Sequence, residues 1–389
     1  MSNKINILFV LPNFDTGGSE KLVVDLASHL NPERFSPVIC VFFSGVYEAK
    51  VKELGIPFYC VHEGGKIRSR IGSIKFLNKI ISDHKIDIVN THHTSPLVQG
   101  LLSFKVFNRV RIIHTEHTRL DCYDFIKPRH IALLKFCLRC VDRVLGISEG
   151  VCAYFRNELG IPDRKIMKIL NGVDVNNFRI MDNGKGRMEK RQELGIGEND
   201  IVIGTFANFR KQKNHGLLLK AVKLLRDKGI NNIKVVFAGD GPERQNIEQM
   251  IQDLCLVSCV LCLGARQDIP ELMNMLDIYC LPSHFEGLPI SLIEAFAAGK
   301  QVVATDVDGN RDVVREMGTG ILVKPDDPEM LAEAILKIME GGVRNTDDSK
   351  GPSSVLRSPF SFESMIKNYE DLFQSFVRKE WEERNEKIR

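Results

Sequence analysis

Two carboxylates, Glu286 and Glu294, stand eight positions apart in the run HFEGLPISLIEAFAAG (284–299), around a Gly-Leu-Pro turn. Proline suits the first helical turn and the glycine before it permits a tight approach, so the spacing predicts a helix opening near Leu288 or Pro289. Glu286 then lies in the loop and Glu294 within the helix. Ile290, Leu292, Ile293, Phe296 and Ala297 leave that helix little polar surface, so Glu294 would be partly buried and in need of a hydrogen-bonding partner. A ligand could be that partner.

Other polar residues fall at comparable places. Asn208, Arg210, Lys211 and Lys213 follow the apolar run DIVIGTF and precede a helix that Asn214 is placed to cap. Cations at the carboxyl end of a strand suit phosphate, although a solvated basic loop is the plain alternative. In FAGDGPER (237–244), Gly239 and Gly241 flank Asp240 in a turn, with Pro242 leading the next helix; Asp240 could do no more than shape that turn. The first apolar run ends in LPNFDTGGSEKL, where Gly17 and Gly18 would let backbone amides approach an anion. The alternative there is a tight turn with Ser19 as helix cap. His92 and His93 in NTHHTSP follow a strand and could line an acceptor; His114 in RIIHTEHT sits inside its strand and reads as a packed core residue.

Metal chemistry has weak support. Cys137 with Cys140, and Cys259 with Cys262, are the close cysteine pairs, and no histidine lies nearby to complete a zinc site. The ten cysteines are scattered mostly among apolar neighbours, a usage that suits a reducing cytosol.

These residues need a scaffold. Runs rich in valine and isoleucine alternate with helical patterns, which predicts parallel sheets covered by helices. The expected strands are 5–11, 37–43, 57–61, 86–90, 110–115 and 143–148, and the rhythm restarts at 200–206, 233–239, 259–264, 277–282, 301–305 and 320–325. Two doubly wound domains follow, 1–170 and 171–360, within the one or two hundred residues usual for each. Polar, glycine-containing sequence between about 169 and 198 marks the join, and 341–359 is expected to be a loop. Residues 361–389 predict a helix with Met365, Tyr369, Leu372, Phe373 and Phe376 on one stripe.

The chain has 389 residues, 43% hydrophobic and 26% charged, an ordinary globular composition. Its net charge of +3 is uneven: residues 1–170 carry 24 Lys and Arg against 16 Asp and Glu, the remainder 29 against 34. A basic first half could face a membrane or an anionic acceptor, or could be solvated surface. No apolar run approaches the roughly 20 residues that span a bilayer, and the N-terminus lacks a secretory signal. The expectation is a cytoplasmic protein with no nucleic-acid partner.

Taken in order, TGGSE after the first strand, an NGVD turn at the join, a basic QKN loop, GDGP, and Glu286 and Glu294 with seven residues between them resemble glycosyltransferase family four over nearly the whole chain. That resemblance implies the α/β GT-B fold: two Rossmann-like, doubly wound domains facing a central cleft, the first on the acceptor side, the second holding a nucleotide sugar. It also implies that the last helix crosses back to the first domain. Glu294 resembles the residue that accepts hydrogen bonds from both ribose hydroxyls, a task two carboxylate oxygens suit. Glu286 resembles the residue at the donor sugar, and the amides around Gly287 and Leu288 the helix start that meets the diphosphate. Lys213 matches the family's diphosphate lysine. Where the family often has an arginine five residues earlier this chain has Asn208, and Arg210 could supply the charge. His117 stands where the family often has a histidine near the donor sugar and reacting centre.

The implied activity is retaining transfer of a hexosyl group from a nucleotide-diphosphate sugar, a UDP-sugar first, to a hydroxyl of a glycan or lipid-linked glycan. No cofactor is expected beyond the nucleotide sugar as co-substrate. Asp306 and Asp308 form a DxD pair, which binds a divalent ion in another glycosyltransferase fold, yet they fall in a segment resembling a loop of this metal-free family; no metal is expected. A sugar-nucleotide epimerase of the same architecture and a non-catalytic nucleotide-sugar sensor are the alternatives. FIKPRHIALLKFCLRCVDR (125–143) with GGKIRSRIGSIKF (64–76) mixes apolar and basic residues and could rest peripherally on the inner face of an anionic membrane; a helix packed on its own sheet is the plain reading.

Overall fold

A computed structural model describes residues 4–14, 18–65, 67–108, 110–119, 128–178, 185–341, 355 and 358–386, the last ten by backbone alone. Gly17, Lys66, Cys122, residues 125–127 and most of the expected loop at 341–359 lie outside the described residues. The chain divides into two compact units, 1–171 with 363–389, and 172–362.

In the first unit the strands are β1 (Ile5–Asn13), β2 (Phe35–Phe43), β3 (Phe58–Cys60), β4 (Ile88–His92), β5 (Arg111–Glu116), β6 (Arg143–Gly146) and β7 (Ile166–Lys168). They pair in parallel in the order β3-β2-β1-β4-β5-β6-β7. Helices α1 (Gly18–His29), α2 (Glu48–Glu53), α3 (Arg70–Asp83), α4 (Thr94–Leu101), α5 (Pro128–Cys140) and α6 (Glu149–Asn157) lie between them, and α4 continues into a π-helical turn, Leu102–Phe107. Leu8, Val10, Val89, Ile112 and Val144 are buried in one core, as expected of strands covered by helices.

The second unit repeats the plan with β8 (Ile201–Phe206), β9 (Ile233–Ala238), β10 (Val260–Cys262), β11 (Ile278–Leu281), β12 (Gln301–Thr305) and β13 (Ile321–Val323). Their order is β10-β9-β8-β11-β12-β13, again parallel. The helices are α7 (Lys185–Glu193), α8 (His215–Asp227), α9 (Arg244–Asp253), α10 (Ile269–Met275), α11 (Ile290–Ala297), α12 (Asp308–Met317) and α13 (Pro328–Met339). In each unit the strand order reverses once, between β1 and β4 and between β8 and β11. Crossovers leave in opposite directions there, so the loops beyond the carboxyl ends part and open a crevice for ligands.

The last helix, α14 (Phe362–Glu386), is built into the first unit. The Phe373 ring meets Phe9 and Phe35 edge-on at 6.2 and 6.1 Å, and Glu370 accepts a 2.7 Å hydrogen bond from the Asn31 amide. All twelve expected strands are present; β7 is an addition, three residues at the sheet edge.

Three local expectations are corrected. Pro289 is not helical: with ψ 105° it caps α11, its carbonyl receiving the Leu292 amide at 3.1 Å, and the helix opens at Ile290. Pro242 likewise sits in a turn, and α9 begins at Arg244 after the N-cap Glu243. Asn214 takes the N-cap position of α8, but its backbone is left-handed and its side chain bonds Asp326 instead of capping.

Candidate functional site

The loops after β8 and β11 meet at the second unit's switch point. Gln212 ties them: its side-chain amide donates to the Phe285 carbonyl at 2.8 Å, and its own carbonyl accepts the His284 amide at 2.8 Å. That clasp brings Lys213 Nζ to 2.6 Å from Glu286 Oε1. The Glu286 side chain is 6% exposed, and a carboxylate this sheltered is costly unless its oxygens are satisfied. The buried Ser283 hydroxyl supplies a second donor to the same oxygen at 2.6 Å. Thr305 holds Ser283 in turn, donating to its carbonyl at 2.5 Å, and Asn310 donates to the Thr305 carbonyl at 2.9 Å. Sequence reasoning missed Ser283, Thr305 and Asn310, which are linked to Glu286 through a bond from β12 to the loop after β11, twenty-two positions apart.

Two close approaches fix the surrounding backbone. A Cβ on Gly309, at the start of α12, would stand 2.6 Å from the Gly287 carbonyl oxygen and 2.9 Å from that of Glu286. One on Gly239 or Gly241 would stand 2.1 or 2.5 Å from the carbonyl oxygens of Ala207 and Phe209. The GDGP glycines therefore let the loop after β9 pack on the Asn208 loop. Asp240 does shape its turn, accepting the Gly241 amide at 2.7 Å and pairing with Arg244 at 3.0 Å. Leu288 is buried, Asn208 is half-buried, and Arg210 is exposed with no ion pair among the described residues. Glu294 is half-buried in α11, near enough to Tyr279 that its charge adds to burial in pushing the phenol pKa up. Asp306 and Asp308 both engage Arg311, at 2.7 and 3.1 Å.

In the first unit, β4, β5 and the start of α1 gather histidines. Gly18 opens α1, and Ser19 is not its cap: the Ser19 hydroxyl donates to Glu20 at 2.7 Å and lies 3.0 Å from His93 Nε2. His92 is buried and stacks on His117, with 2.9 Å between its Nδ1 and the other ring's Nε2. One proton serves both, since a neutral imidazole donates from one nitrogen and accepts at the other. Burial first, then the neighbouring histidines, hold the His92 pKa well below its ordinary value; burial and His93 bring His117 down to about 3.

Glu116 lies at the centre and was missed by sequence reasoning. It is fully buried at the end of β5, 3.5 Å from both His93 and His114, and accepts from Thr94 Oγ1 at 3.1 Å. Burial opposes its charge, but the two histidines hold its pKa well below the carboxylate range. For His93 burial is likewise outweighed by Glu116, leaving its pKa raised. His93 also adopts φ 64°, unusual for a residue with a side chain and of a kind concentrated at functional sites. His114 is a core residue with 2.9 Å between its Nδ1 and the Thr91 hydroxyl. Among the described residues no cluster of three His, Cys, Asp or Glu could hold a metal ion, and the cysteines are free.

Residues 16–177 match the family model described as Glycosyltransferase Family 4, and residues 186–350 the model described as Glycosyl transferases group 1. The chain is 26% identical over 312 residues to the UDP-Gal:alpha-D-GlcNAc-diphosphoundecaprenol alpha-1,3-galactosyltransferase of Escherichia coli, covering 78% of this chain and 79% of that one. It is 24% identical over 313 residues to the N-acetyl-alpha-D-glucosaminyl L-malate synthase of Bacillus anthracis, covering 80% and 79%. The crystal structure of Anabaena HepE in complex with UDP superposes with a TM-score of 0.82 at 21% identity, covering 95% of this chain and all of that one. The fold is α/β of the GT-B type. Among the described residues no helix is long and apolar enough to cross a membrane.

Proposed function

The chain belongs to glycosyltransferase family four and acts on nucleotide sugars, and from that premise we propose that it transfers a hexosyl group from a UDP-sugar to a hydroxyl of a glycan or lipid-linked glycan, with retention. The observation that carries the reading is the Lys213, Glu286 and Ser283 group at the switch point of the second unit. An ammonium has three donors, so Lys213 can keep Glu286 or turn to a diphosphate. Glu286 would take sugar hydroxyls and face the positive charge developing at the anomeric carbon, and Glu294, one turn into α11, the ribose diol. Family resemblance assigns the first unit's His117 to the transferred sugar; His93, half-buried just after β4, is our candidate for the acceptor side, and His92, fully buried, holds the His117 ring by a hydrogen bond.

In the proposed step the bond from the anomeric carbon to the phosphate oxygen breaks and the acceptor oxygen bonds that carbon on the same face, its proton passing to the departing diphosphate. A helix start contributes about 0.3–1 kcal/mol when exposed and roughly 2 when sheltered, against the roughly 8 kcal/mol or more enzymes supply. Lys213 and the α11 amides must therefore act together. No divalent ion is required in this reading: the guanidinium of Arg311 already pairs with both aspartates of the DxD. EDTA should leave turnover unchanged, and a complete loss restored by added metal would refute this part.

A nucleotide-sugar panel scored by thermal shift identifies the donor. With that donor, Glu286→Ala should cut transfer by about a hundredfold or more while the fold persists by circular dichroism. Wild-type turnover in the variant would remove Glu286 from the mechanism.

A further inference from the structure

We propose that α3, the π-helical turn after α4, and α5 form a docking face for an anionic lipid bilayer. The three are neighbours: Asn78 of α3 accepts from Ser103 at 2.5 Å and from Asn108 at 2.7 Å, and α5 packs beside α4. Their outward stripes carry large apolar side chains. Leu102, Val106 and Phe107 on the π-helical turn and Leu133 and Phe136 on α5 are 46–63% exposed, and Ile71 at the start of α3 is 68% exposed. Monomeric surfaces seldom leave such side chains in adjoining groups, and π-helical turns are themselves frequent at functional positions.

Charge names the occupant. Of the chain's 50 acidic residues only Asp83, the last residue of α3, falls within α3, α4, the π-helical turn or α5. Exposed cations stand between the apolar residues instead: Lys75 and Lys79 on α3, Arg129 and Arg139 on α5, none in an ion pair among the described residues. A face with exposed aromatic rings, exposed cations and a single carboxylate, at the far end of α3, matches a layer of acyl chains beneath anionic headgroups, where the rings enter the interface and the long cations reach phosphate. The inference extends the lipid-linked reading of the acceptor: docking would bring the enzyme to a substrate confined to the membrane.

The test uses the full chain and vesicles containing no glycan acceptor, so it is separate from the transfer reading. The protein should sediment with phosphatidylcholine vesicles containing phosphatidylglycerol, about tenfold less with phosphatidylcholine alone, and less again at high salt. The double variant Phe107→Glu, Phe136→Glu should lose about tenfold of that binding. Its melting temperature, and its UDP release with a water-soluble acceptor, should stay at the wild-type level. Undiminished vesicle binding by the variant, wild-type protein that stays in the supernatant, or a wild-type dimer that the same substitutions dissociate would each overturn the proposal. Failure of the transfer reading would appear separately, as no UDP released from any donor while the vesicle result stands.

Discussion

Glu286 takes two donors on one oxygen, and they differ in what they can do next. Lys213 is a fifth exposed and flexible, and a diphosphate would compete for its charge; the Ser283 hydroxyl is buried with its backbone held by Thr305. When Lys213 turns to phosphate, Ser283 is the donor left to fix the carboxylate. A hydrogen bond to a charged group is worth about 1.5–3 kcal/mol, so Ser283→Ala should lower kcat by roughly tenfold or more. UDP affinity by calorimetry should hardly move, because Ser283 makes no bond to Lys213, and Ser283→Thr should recover part of the rate. A variant that loses affinity and rate in equal measure, or neither, would show that Ser283 does not act through Glu286.

Among the elements, α12 has a role its sequence conceals. Gly309 lets the first turn of α12 press against the carbonyls of Glu286 and Gly287, so Gly309→Ala should push that loop outward. The expected result is a loss of donor binding and turnover together, read as a raised KM and a lowered kcat, with secondary structure retained; unchanged kinetics would mean the loop tolerates the shift. Such a packing glycine looks like any helix-start glycine in a sequence. The central strands were legible because runs such as β8, β9 and β12 are short, rich in valine and isoleucine, and buried over nearly their whole length. β7 was not, since Ile166-Met167-Lys168 is brief, flanked by Arg164 and Lys165, and lies at an edge. Lys213, Glu286 and Glu294 were legible as charges at strand ends or in an apolar helix. Glu116 was hidden because its partner His93 lies more than twenty positions away; the alternative reading of Ser19 as a cap fails because Ser19 already lies inside α1, and Asn214 bonds Asp326 instead of capping.

Across the whole molecule both units keep buried imidazoles uncharged, and this sets how stability depends on pH. His215, 2% exposed between Phe209 and Phe237, has no hydrogen-bond partner for either ring nitrogen among the described residues, and burial followed by Lys213 lowers its pKa to about 4. His92 and His117 are lowered in the first unit. In an unfolded chain each histidine takes a proton near pH 6.5, so the unfolded state binds more protons than the native one between about 6.5 and the lowered values. Stability is therefore full above about pH 6.5 and falls with acidification through that window. His93, with its raised pKa, contributes the opposite sign, present below pH 6.5 and lost as pH rises through its folded value; the Glu116 contribution persists until far more acid conditions. At 1.36 kcal/mol per unit the His215 shift amounts to about 3 kcal/mol in order of magnitude. Replacing it by an apolar ring removes that sensitivity without stranding a partner, so His215→Phe should match wild type in thermal midpoint at pH 7.5 and melt several degrees above it at pH 5. Parallel melting curves for the two proteins across that range would mean His215 is protonated in the folded state, and would place the acid sensitivity in the paired imidazoles of His92 and His117.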